Sequence, residues 1–92
     1  MNEQAKLQPE LSQAGYEFLM SDLAVALTLT RIASRSAADS DKRLRNVHNA
    51  RRAYDTVRKL AERVSLTGSQ LQNLVEKLQA VKSALEKVGK PV

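Results

Sequence analysis

The chain has 92 residues, 42% hydrophobic and 27% charged, which suits one small core and is too little for two. It contains no Cys and a single His, so disulfides, thiolate nucleophiles and Cys-ligated metal centres are excluded and little remains for metal binding. No metal or cofactor is expected. Three Gly, two Pro and 3% aromatic residues argue against a turn-rich β-sandwich and for helix.

Fifteen Lys and Arg against ten Asp and Glu give a net charge of +5, and the excess is unevenly placed. Residues 1–38 carry three basic and four acidic side chains, 39–65 carry eight and four, and 66–92 carry four and two. The basic surplus therefore belongs to the middle of the chain. The first residues do not run from a basic stretch into an apolar one, and no apolar run approaches a membrane span, so a cytoplasmic protein is expected.

In chain order, the polar start followed by Pro9 predicts a flexible, frayed segment over residues 1–9. A single bundle domain then occupies 10–90. A first helix is predicted from about Glu10 to about Arg35, with Gly15 weakening its early turns. Ser36-Ala37-Ala38-Asp39-Ser40 breaks the periodicity and offers Asp39 or Ser40 as an N-cap. The second helix, from about Asp41 to about Val64, repeats Val47, Ala50, Tyr54, Val57, Ala61 and Val64 at steps of three and four, which keeps them on one face. Thr67 with Gln70 forms a capping box, and Leu66 with Leu71 a hydrophobic staple, so a third helix starts at Gly68. It repeats Leu71, Leu74, Leu78, Val81, Leu85 and Val88 and stops at Gly89, with Lys87, Lys90 and Pro91 around its end. Short connections between three such helices predict an all-α, antiparallel up-down-up bundle.

The first helix is apolar over too wide an arc. Phe18, Val25, Leu29 and Ile32 form one row and Tyr16, Leu19, Met20, Leu23 and Leu27 another, together covering roughly 240° where a bundle helix needs somewhat more than about 100°. The second row is read as surplus. It is expected to meet another protein surface, most simply the same row of a second copy across a two-fold axis, giving a homodimer. The alternative is that Leu7 and Leu11 cover it or that it stays exposed.

Asp22 falls inside the apolar arc, and an unpaired buried carboxylate is too costly to keep. Arg51 and Arg58, one heptad apart beside the seam of the second helix, are the expected donors of a buried ion pair with it. On the opposite face of the second helix, Lys42, Arg45, Arg52, Lys59 and Arg63 form a solvent-directed basic stripe. With Asp55 and Glu62 nearby it reads first as a solvated face, and otherwise as an anion-binding surface for nucleic acid or acidic lipid. No aromatic side chains interleave with it for base stacking, so such binding would be nonspecific and salt-sensitive.

His48 on a helix is similar to the phosphoryl-accepting His of histidine phosphotransfer domains. The residues that follow it are Asn49-Ala50-Arg51-Arg52 rather than the usual Lys-Gly pair, and the bundle is one helix short. Phosphotransfer is therefore a distant third reading, and no other catalytic constellation is visible. The segment Arg45-Asn46-Val47-His48-Asn49-Ala50-Arg51-Arg52-Ala53-Tyr54-Asp55-Thr56-Val57, with Leu66-Thr67 after it, resembles small bacterial three-helix proteins that carry a similar Asn-Ala-Arg/Lys-x-Ala-Tyr-Asp-Thr stretch. The likeness spans about half the chain. It implies a bacterial, three-helix, interaction-type protein and assigns no site. The expectation is a non-catalytic interaction module that self-associates through its first helix, with nonspecific binding of nucleic acid or an anionic surface as the alternative.

Overall fold

A computed structural model describes residues 3–89, with side chains from Gln13 onward. It contains α1 (Glu3–Ser34), α2 (Asp41–Ala61) and α3 (Gly68–Lys87). The three helices form the up-down-up bundle expected from the sequence, with α3 running parallel to α1. Contacts at both ends fix this arrangement. The Gln70 amide donates to Gln13 and the Asn73 amide to the Tyr16 hydroxyl, while Arg43 at the start of α2 reaches the carbonyls of Ala33 and Val88.

Both interhelical starts are set by local chemistry. Ser40 is the N-cap of α2, its hydroxyl accepting from the Arg43 amide at 3.1 Å. Thr67 accepts from the Gln70 amide at 3.1 Å while its own amide donates to the Gln70 side chain at 3.0 Å, so the capping box is complete. At the far end of α3, Gly89 takes φ +88°, the left-handed conformation that ends a helix at little cost only for glycine. Lys90 and Pro91 lie outside the described residues, as do the side chains of Leu7 and Leu11.

Two boundaries differ from the sequence reading. Helix α1 begins at Glu3 rather than near Glu10, so Pro9 falls within it. Helix α2 ends at Ala61, three residues before Val64. The chain leaves the helix there through turns closed by Arg63 and Val64 amides onto the Leu60 and Ala61 carbonyls. This brings Val64 against α1 at Gly15, where a Cβ would stand 3.1 Å from the nearest Val64 methyl. Glycine at this position is a close-approach residue rather than merely a weak helix former.

The core runs along one stripe of α1, namely Leu19, Leu23, Ala26 and Ala33, with Thr30 buried among them. The Thr30 hydroxyl is satisfied by donating to the Leu27 carbonyl at 2.7 Å. Against this stripe pack Val47, Ala50, Tyr54 and Val57 of α2 and Leu74, Val81 and Leu85 of α3. Helices α2 and α3 each bury their apolar face mainly on α1 and touch one another only lightly. The result is an elongated body of 58 × 20 × 16 Å.

Arg43 ties the closed end together. Its guanidinium donates to the Ala33 carbonyl at 3.0 Å, more weakly to Ser36 at 3.5 Å, and to the Val88 carbonyl at 3.3 Å. Carbonyls at helix C-termini carry partial negative charge and lack intrahelical partners, so one planar cation satisfies the ends of two helices at once. Arg43→Met is expected to lower the unfolding free energy by about 1–3 kcal/mol. Arg43→Lys should recover only part of this, because an ammonium lacks the fork that spans both carbonyls. Urea midpoints at unchanged m would check it, and a change below about 0.5 kcal/mol for Arg43→Met would remove the clamp from this account.

Candidate functional site

The two apolar rows of α1 exchange roles relative to the sequence reading. Leu19 and Leu23 are 1% and 0% exposed inside a single copy, and Met20 and Leu27 pack half-buried against the same core. Tyr16 sits at the α3 edge, its hydroxyl accepting from Asn73. The row expected to meet a second copy is therefore the core row. The surplus row is the other one, in which Phe18 and Val25 are 55% and 53% exposed while Leu29 and Ile32 are half-buried. Small residues explain the rotation. Gly15, Ala26 and Ala33 occupy the α2-facing flank of α1, so the helices approach most closely there, and a search among large side chains misses that flank.

The expected ion pair between Asp22 and Arg51 or Arg58 is absent. Arg51 instead engages Asp55 on its own helix, at 3.1 Å between Nε and the carboxylate. Arg58 lies with its guanidinium carbon 5.7 Å from the centre of the Tyr54 ring. The reason is angular: Tyr16 marks the α3 edge of α1, and Asp22 lies roughly 120° away on the other edge. Arg51 and Arg58 lie along the edge of α2 that faces α3. Asp22 is half-buried and makes no hydrogen bond or ion pair among the described residues.

The slight contact between α2 and α3 leaves a cleft of about 390 Å³ lined by Tyr54 and Arg58 on one side and Val75, Leu78, Gln79 and Lys82 on the other. On α3, Leu71, Val75, Leu78 and Lys82 form a row displaced by less than a quarter turn from the buried Leu74, Val81 and Leu85. Leu71 and Val75 are about half exposed, so the seam read from the sequence is two strips, one inside and one opening on the cleft. The Tyr54 ring is buried, but its hydroxyl has no protein partner among the described residues and is not sealed from water. Arg58 and Lys82 bring positive charge to an apolar floor; beside Arg58, in a neighbouring hollow, stand Asp55, which is engaged by Arg51, and Glu62. The sequence reading passed over Val75 and Lys82. Their signal was the three-and-four spacing with Leu71 and Leu78, which merges with the core pattern when α2 and α3 are assumed to touch.

Lys42, Arg45, Arg52 and Lys59 on α2 and Arg63 in the turn after it are all exposed. None of them forms an ion pair among the described residues, and Lys59 lines one hollow with Asp55 and Glu62. His48 is exposed beside a shallow hollow lined by Ala38, Arg43, Leu44, Val47, Val88 and Gly89. Among the described residues no group of three His, Asp or Glu side chains is placed to hold a metal, and no described helix is long and apolar enough to cross a membrane.

The exchange of rows has a direct test in stability. Leu23→Ala is expected to cost about 2–5 kcal/mol, while Phe18→Ser and Val25→Ser should each change stability by less than about 0.5 kcal/mol. Denaturant titrations giving the opposite order would return Leu23 to the surface. In comparisons with protein families, curated proteins and solved structures, no match to this chain is found.

Proposed function

We propose that the chain is a non-catalytic helical interaction module whose cleft between α2 and α3 receives an amphipathic helix with acidic flanks. The observation that carries this reading is the cleft itself. Val75 is 55% exposed beside half-buried Leu78, Arg58 and Lys82 line the same cleft, and the light contact between α2 and α3 leaves Val75 open. A helix laid there turns three helices into four and buries the outer strip of α3, a recognised way for a groove to take up a helical ligand. The remaining apolar exposure of Val75, Leu78 and Leu71 amounts to only a few kcal/mol gross. That is below the cost of association, so contacts to Arg58 and Lys82 decide whether binding is measurable. Dissociation constants of about 10 µM to 1 mM follow for a simple peptide.

The test is an amide chemical-shift titration with a synthetic helical peptide carrying a Leu/Val stripe flanked by Glu. Shifts are expected at Tyr54, Arg58, Val75, Leu78 and Lys82, and Val75→Glu, a change at an exposed position, should abolish them. Unmoved resonances at millimolar peptide, or shifts centred elsewhere, would overturn the reading.

A second reading is favoured by the exposed stripe Lys42, Arg45, Arg52, Lys59 and Arg63, none of which forms an ion pair among the described residues and which offers spaced cations to a polyanion such as nucleic acid. With about five phosphate contacts, affinity for duplex DNA should fall roughly 10²–10³-fold between about 50 and 200 mM salt, without dependence on sequence. Arg52→Glu with Lys59→Glu should remove it, and a protein that retards no duplex even at low salt would eliminate this reading.

A further inference from the structure

We infer that the helix received by the cleft is α1 of a second copy of this chain, presenting the row Phe18, Asp22, Val25 and Leu29. This inference rests on the cleft reading above and names its occupant. Two apolar surfaces stay open among the described residues, Phe18 with Val25 on α1 and Leu71 with Val75 on α3, one on each side of this contact. Phe18 and Val25 are as exposed as Leu71 and Val75, all between 51% and 55%. The steps from Phe18 to Asp22, Val25 and Leu29 are four, three and four, so the four side chains form one row down the helix.

Charge selects the pairing. Between Gln13 and Thr30, α1 carries Glu17 and Asp22 and no basic residue, whereas the cleft is lined by Arg58 and Lys82 and by no carboxylate; of the two carboxylates that share a neighbouring hollow with Arg58, Asp55 is taken by Arg51 and Glu62 forms no ion pair among the described residues. Asp22 is the key group. It stands within the exposed apolar row, half-buried and with no hydrogen bond or ion pair among the described residues. Seating the row in the cleft of another copy brings this carboxylate to the guanidinium or ammonium at the cleft mouth while Phe18 and Val25 cover Val75 and Leu78. The net charge of +5 opposes association, but at physiological salt it is screened beyond about 8 Å, whereas pairs inside a closed contact are screened much less.

The row and the cleft are different surfaces on different faces, so the contact is heterologous: each copy gives its row to one neighbour and its cleft to another. Such contacts extend head to tail rather than ending at two copies. In sedimentation equilibrium over about 10 µM to 1 mM, the weight-average mass is expected to rise past two chain masses. Asp22→Arg and Val75→Glu should each remain monomeric, their folding verified by unchanged thermal midpoints. Mixed in equal amounts, they offer one intact cleft and one intact row and should form a 1:1 complex that grows no further.

A wild-type chain that stays monomeric throughout, or assembly that survives both substitutions, overturns the inference. So does a mixture of the two variants that stays monomeric. Addition of the synthetic acidic helix to Asp22→Arg separates the two levels. Binding at the cleft without any self-association sinks the second copy as occupant and keeps the cleft, whereas no peptide binding removes the cleft reading and this inference with it.

Discussion

The whole arrangement depends on one shared surface. The stripe Leu19, Leu23, Ala26, Thr30 and Ala33 on α1 is where both other helices bury their apolar faces, and α2 and α3 find little of each other. A bundle with three equal interfaces would enclose its core on all sides. Here α1 is the spine, and what α2 and α3 leave between them is a cleft with an apolar floor. Exposed Val75 and the cation over Tyr54 are consequences of that inequality rather than separate features.

The ends of the bundle solve the inequality differently. At the closed end, Arg43 draws together the carbonyls of Ala33 and Val88 with a single guanidinium, so polar contacts do what apolar packing between α2 and α3 does not. At the opposite end, the missing side chain of Gly15 lets Val64 approach α1, and Gln13 and Tyr16 hold the first turns of α3 by hydrogen bonds. The cleft lies between these two fastenings, where α2 and α3 touch only lightly.

Electrostatics follow the same geometry. The stripe Lys42, Arg45, Arg52 and Lys59 lies on the outer face of α2 and forms no ion pair among the described residues, although Asp41 stands one turn before Arg45 and Lys59 shares a hollow with Asp55 and Glu62. Asp55 is drawn to Arg51 one turn away, the short i,i+4 span that a helix supplies without tertiary help. Asp22 has no such neighbour. It stays in the outer row of α1, among apolar side chains, as a carboxylate whose partner is not found among the described groups of its own copy.

What is local could be read from the residues alone: three helices, a start for the second at Asp39 or Ser40 and for the third at Thr67, an end at Gly89, inward faces from Val47 to Val57 and from Leu74 to Leu85, and a stripe from Lys42 to Arg63 that faces water. Caps, left-handed glycines and three-and-four spacing are properties of a single segment. The packing of the helices against one another set which of the two rows of α1 faces inward, why Asp22 and the two arginines point to different edges, and that α2 and α3 leave a cleft between them. Periodicity fixes the angles between side chains of one helix but not the rotation of that helix against its neighbours. On α1 that rotation was chosen by Gly15, Ala26 and Ala33, small residues that mark where helices come closest and that weigh almost nothing in a hydrophobic pattern.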